Sequence, residues 1–162
     1  MGPVLPVPDP PYRQVRALFD DETVTVYQAY SSSIAGPAVE AQTFVAPFKT
    51  DRMSWIKPSF LWMMYRSGWA TKPGQEHVLA IRITRTGFEA ALSMAVLSHY
   101  EPGLYADRRE WQERKSASPV RIQWNPERDP ALNLNRTGFD GDSEVTERTF
   151  LSCQHHVSIP RS

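Results

Sequence analysis

Apolar and polar positions alternate with a period of two at several places along the chain, the pattern of a strand with one buried face. In TVTVYQAY, residues 23–30, Val24, Val26 and Gln28 fall on one face and Thr25, Tyr27 and Ala29 on the other. The segment is rich in β-branched and aromatic residues, which suit a pleated surface, and a strand is predicted there. HVLAIRIT at 77–84 and VRIQW at 120–124 are predicted as the second and third strands. Helical spacing fills the gaps between them. Ser31, Ser32 and Ser33 offer N-cap hydroxyls to a short helix through about Gln42, with Ile34, Ala38 and Ala41 on one stripe. Pro37 fits that helix only near its first turn. Residues 47–54 read as a loop, Pro58 opens a second helix through PSFLWMMYRSGW, and Gly68 ends it. This second helix is apolar nearly all round, which predicts burial between layers. A third helix is predicted from about Gly87 to Leu97, capped by Thr84 or Thr86, with Phe88, Ala91, Leu92 and Ala95 on one face. A short charged helix is predicted at 107–115.

The resulting order β, α, α, β, α, α, β predicts an α+β domain, a small sheet of about three or more strands packed with helices. Its expected core is Phe60, Leu61, Met64, Val78, Ala80, Ile81 and Leu92. Residues 1–12 carry Pro3, Pro6, Pro8, Pro10 and Pro11 and read as an extended lead-in, because each proline fixes φ and removes a backbone donor. The domain itself is assigned to residues 13–129. Residues 130–162, dominated by polar and turn-forming side chains, are predicted to be mostly irregular with few core contacts.

Composition narrows the function classes. The chain of 162 residues has 18 basic and 18 acidic side chains, so any affinity for a polyanion must come from a local patch. One cysteine, Cys153, excludes an internal disulfide and fits a reducing compartment, so a cytoplasmic location is expected. The longest apolar run, Phe60 to Tyr65, is far short of a membrane span, and the proline-rich start has no basic and apolar signal pattern. No membrane partner is expected, and the oligomeric state is left open. Phosphate-loop, dinucleotide-fingerprint, zincin and paired CxxC motifs are absent from the sequence. Cys153, His155 and His156 lack a fourth ligand, and no metal is predicted. No catalytic residue can be assigned.

The segment that carries chemistry is residues 49–72, KTDRMSWIKPSFLWMMYRSGWATK. It interleaves Lys49, Arg52, Lys57, Arg66 and Lys72 with Trp55, Phe60, Trp62, Tyr65 and Trp69, against the single acid Asp51. Cations meet phosphate and flat rings stack on bases or on a nicotinamide, so a nucleotide or a nucleic acid is the expected ligand. The candidate binding residues are Tyr27, Gln28, Arg52, Trp55, Lys57, Tyr65 and Arg66. The cations would hold phosphate, Tyr27 or Trp55 would stack, and Gln28 would hydrogen-bond a ribose or amide. The Arg52–Lys57 loop and the start of the helix at Pro58 are the expected anion site, with Arg13 and Arg16 as secondary candidates.

RQVRALFDDETVTVYQAY, FVAPFKTDRMSWIKPSFLWMMYRSGWATK, EHVLAIRIT and SPVRIQWNPERD together closely resemble the family catalogued as domain of unknown function 4291. That family brings no assigned reaction. The order of elements is also similar to the first half of ADP-ribosyltransferase-like domains, which bind NAD in a cleft between two small sheets. In such enzymes a first-strand Arg or His holds the nicotinamide ribose side and a later Glu or Gln directs the transfer. That likeness implies a split sheet, NAD as cofactor and ADP-ribosyl transfer, with Tyr27 and Gln28 in the first-strand place. After WNPERD the family resemblance stops, and LNLNRTGFDGDSEVTERTFLSCQHHVSIPRS reads as a shifted frame, a retained intron or an alternative splice product. The expectation is a fold whose C-terminal part is incomplete. Two rival readings stand beside the nucleotide site: a non-enzymatic module for single-stranded nucleic acid using the same patch, and an inactive truncated product.

Overall fold

The computed structural model describes residues 15–126, residue 131 and the backbone of residues 147–153. Along the chain the elements are β1 (Thr23–Tyr30), α1 (Ser32–Ala41), β2 (Ser54–Ile56), α2 (Phe60–Ser67), β3 (His77–Thr84), α3 (Arg85–Met94), β4 (Val96–Leu97), α4 (Arg108–Ala117), β5 (Val120–Pro126) and β6 (Glu147–Cys153). The architecture is α+β, with the strands divided between two sheets. One is the antiparallel pair β1–β3, and the other has the order β2–β6–β5–β4. An isolated antiparallel bridge between Tyr27 and Lys57 joins them, with Tyr27 N–H donating to the Lys57 carbonyl at 2.6 Å and Lys57 N–H returning the bond at 3.1 Å.

Strand alternation explains the core. In β1 the even face buries Val24, Val26 and Gln28. The register sets Val24 opposite Ile83 and Val26 opposite Ile81 in β3, so the four aliphatic side chains share one side of the pair. Ile56 from β2, Phe88 from α3 and Val120 from β5 complete the cluster, which therefore draws on both sheets. α3 is started by Thr84, whose hydroxyl accepts from Gly87 N–H at 3.2 Å. This agrees with one of the two predicted caps.

The structure departs from three expectations. The core is not centred on the predicted helix face: of the seven residues named, Ile81 is buried, whereas Phe60 and Ala80 are exposed. α2 meets the sheet through the narrow stripe Ser59, Met63 and Ser67, one residue per turn, which leaves Phe60 45% and Tyr65 44% exposed. Two small serines let the helix backbone approach closely, so its large apolar residues are not needed at that contact. Pro37 sits in the second turn of α1 rather than its first. Residues 147–153, within the stretch 130–162 expected to be mostly irregular with few core contacts, form β6, which pairs antiparallel with both β2 and β5. β2 and β5 each offer an edge of backbone donors and acceptors, and TERTFLSC holds enough β-formers to satisfy both without a long hydrophobic period. The proline-rich lead-in and the rest of 130–162, Ala131 excepted, lie outside the described residues.

α2 ends at Gly68, with φ 60° and ψ 45° in the left-handed region. A side chain there would also meet Thr71 Oγ1 at 3.1 Å, so glycine is required twice over. The next two residues also have positive φ, Trp69 at 57° and Ala70 at 60°. L-residues resist this conformation at about 1 kcal/mol or more each. Ala70→Gly is therefore expected to raise stability by about 1 kcal/mol in urea denaturation, and a loss of stability would show that the turn is unstrained.

Candidate functional site

An open cavity of about 600 Å³ lies where the end of β1, the β2 segment, α2 and β5 converge. β1 contributes Gln28, Ala29 and Tyr30, the β2 segment Arg52, Met53, Ser54 and Trp55, and α2 Trp62, Met63 and Arg66. Gln75 and Gln123 close the wall. Two guanidinium groups and two indoles line it, and no carboxylate does among the described residues.

Its floor is a connected set of polar groups. Gln28 is 4% exposed, and its Nε2 donates to Ser54 Oγ at 2.7 Å and to the Trp55 carbonyl at 3.1 Å. A carbonyl can only accept, so this bond fixes the amide with its nitrogen toward Trp55. Oε1 is left buried without a hydrogen-bond partner, a costly state for an acceptor. Ser54 Oγ lies 3.0 Å from Tyr30 Oη. Burial pushes the Tyr30 phenol above its ordinary value of 10.0, while the Ser54 bond and the Arg52 charge pull the other way. Tyr30 is therefore a neutral hydroxyl at physiological pH. Its ring is held edge-on by Phe44 and Phe48, each with centroids 5.8 Å away, and these two stack on each other at 4.1 Å.

Of the seven predicted binding residues, Gln28, Arg52, Trp55 and Arg66 line the cavity, and Tyr27, Lys57 and Tyr65 do not. Tyr27 has the opposite strand parity to Gln28 and meets Phe60 edge-on at 5.4 Å. Lys57 is fully buried, with its Nζ 3.8 Å from the centre of the Trp62 ring, so it is not a loop cation facing solvent. Ile56, Lys57, Pro58 and Ser59 are all buried, and Ser59 Oγ takes the Trp62 amide at 3.2 Å. The predicted anion site at the start of this helix is thus covered and part of its donor set is already used. Tyr65 stands outside the cavity, in edge contact with Trp62 at 6.4 Å. Arg16 is not among the lining residues, and Arg13 lies outside the described residues.

Sequence reasoning did not select Tyr30, Ser54, Trp62 or Gln123. Tyr30 carried a signal, since it shares the strand face of Gln28 two residues away. Gln123 reaches the cavity only because β5 belongs to the sheet that contains β2. No group of three or more His, Cys, Asp or Glu residues is placed to hold a metal ion among the described residues. His155 and His156 lie outside them, and only the backbone of Cys153 is described. No described helix is long and apolar enough to cross a membrane.

Fold and site together define an α+β domain with a cationic, indole-lined cavity beside the junction of two sheets. A scan of protein families matches residues 14–137 to the family described as Domain of unknown function (DUF4291), and the chain belongs to that family. The match extends past the expected domain end at Asp129 and stops before β6. A search of curated proteins finds no match. A search of solved structures finds none either.

Proposed function

We propose that the cavity binds a nucleotide of the NAD class. The observation that carries this reading is the lining itself: Arg52 and Arg66 supply two fixed positive charges with no lining carboxylate, beside Trp55 and Trp62 and a set of neutral hydrogen-bonding groups. Guanidinium groups pair with phosphate, often through two parallel bonds, and indole faces stack on flat heterocycles. A volume near 600 Å³ falls in the range of cofactor clefts.

The reaction we assign to such a site is ADP-ribosyl transfer. The bond from nicotinamide nitrogen to ribose C1′ breaks, an acceptor nucleophile bonds to C1′, nicotinamide leaves with the bonding pair, and the acceptor's proton passes to water. Gln28 on the first strand and Gln123 on a later one border the same cavity, where both amides can reach a bound ribose. Neither amide can accept the proton, so their part is to hold the ribose. Calorimetric titration of the full chain with NAD and ADP-ribose tests the binding. Saturable heat with both, little changed by added salt, is the expected result, with nicotinamide release as the separate readout of transfer. Absence of heat from folded protein with either nucleotide would overturn the assignment.

A further inference from the structure

We infer that the outer face of α2, with the turn that follows it, binds single-stranded nucleic acid beside the cavity. The first observation is the turn. Trp69 and Ala70 both have positive φ, a region that costs a bulky L-residue more than it costs glycine. The surroundings hold them there. Ser67, fully buried, donates through Oγ to the Met64 carbonyl at 3.3 Å and accepts Ala70 N–H at 3.1 Å. Trp69 N–H donates to the Met64 carbonyl at 2.8 Å, and Lys72 Nζ to the Arg66 carbonyl at 2.7 Å. What this arrangement yields is an indole 49% exposed, which adds little to the core. Strain kept in order to place a ring in solvent points to a ring that receives something.

The second observation is the company of that indole. Trp62 and Tyr65 stand one turn apart on α2 in edge contact at 6.4 Å, Trp62 borders the cavity, and Trp69 stands exposed in the turn directly after the helix. Exposed Arg66 and Lys72 flank these rings, and Arg52 stands at the cavity. Within residues 49–72 four exposed cations, Lys49, Arg52, Arg66 and Lys72, stand against the single acid Asp51, the fifth cation, Lys57, being buried. Alternating rings and cations match a strand of unpaired bases on a phosphate backbone. A duplex hides its base faces and cannot use the rings. An acidic peptide would satisfy the charges and leave the rings idle.

Fluorescence anisotropy of the full chain with a labelled thymidine oligonucleotide of about 16 residues, its duplex, and a poly-glutamate peptide tests this. The single strand is expected to bind more tightly than either other probe, with affinity falling as salt rises. Trp69→Gly is expected to weaken oligonucleotide binding about tenfold. The same substitution relieves the positive φ, so the melting temperature should stay or rise, and NAD heat should be unchanged. Arg66→Gln should flatten the logarithmic salt slope by about 0.7. No oligonucleotide binding by folded protein at low salt, equal affinity for duplex or poly-glutamate, or an unaltered affinity in Trp69→Gly would each overturn the inference. NAD binding can fail while these outcomes hold, so the two readings are separable.

Discussion

Replacing Arg52 and Arg66 together by alanine is expected to lower the affinity for NAD and ADP-ribose about a hundredfold or more, each single substitution contributing about tenfold. A charge-assisted hydrogen bond is worth roughly 1.5 to 3 kcal/mol when lost, and each 1.4 kcal/mol is a factor of about ten. The two guanidiniums come from different elements, the β2 segment and α2, so their losses should add unless both grip the same phosphate oxygen. Arg109→Ala is the control, since Arg109 is strongly exposed on α4 and pairs with Glu113 at 3.0 Å. Arg52→Ala carries a second readout. Its charge is one of the influences that lower the Tyr30 phenol, so removing it should shift the ultraviolet titration of that tyrosine to still higher pH. Equal weakening by all three substitutions would place the nucleotide elsewhere.

Phe88→Ala is expected to destabilise the protein by about 3 to 5 kcal/mol, the usual cost of emptying a buried aromatic site. Phe88 is 6% exposed and fills the space where α3 meets Val24, Val26, Ile81, Ile83 and Val120. Phe60→Ala, on a ring with an edge contact to Tyr27 and nearly half its surface in water, should cost less than about 1.5 kcal/mol. Urea denaturation of the two variants measures the difference. Comparable losses would return the core to the helix face that the apolar pattern suggested.

That pattern was informative where one side chain in two faces the interior. β1, β3 and β5 formed where alternation placed them, because burial on one face imposes the period directly. Gly68 and Thr84 were equally legible, each through a local rule: a left-handed stop and a hydroxyl cap. β2 and β4, three and two residues long, are too short to show a period, and β6 forms on edges set by distant chain. α2 departs from its pattern because apolar content there does not mean burial: Trp62 lines a cavity and Tyr65 stands in solvent. The same short segment divides Arg52 from Lys57: one lines the cavity, while the other lies beneath α2 against an indole. The segment that charge pattern singles out supplies Arg52, Trp55 and Arg66 to the cavity lining. The polar floor of the cavity joins Gln28, Ser54 and Tyr30 across more than twenty residues of chain, which no local pattern carries.

A crystal of the full chain soaked with NAD decides whether the cavity is the nucleotide site. Density is expected in the cavity beside Gln28, with the pyrophosphate contacting Arg52 or Arg66 and a flat ring against Trp55 or Trp62. Dinucleotide bound away from these residues, or a cavity still empty in a crystal whose solution protein binds NAD, would contradict the proposed site.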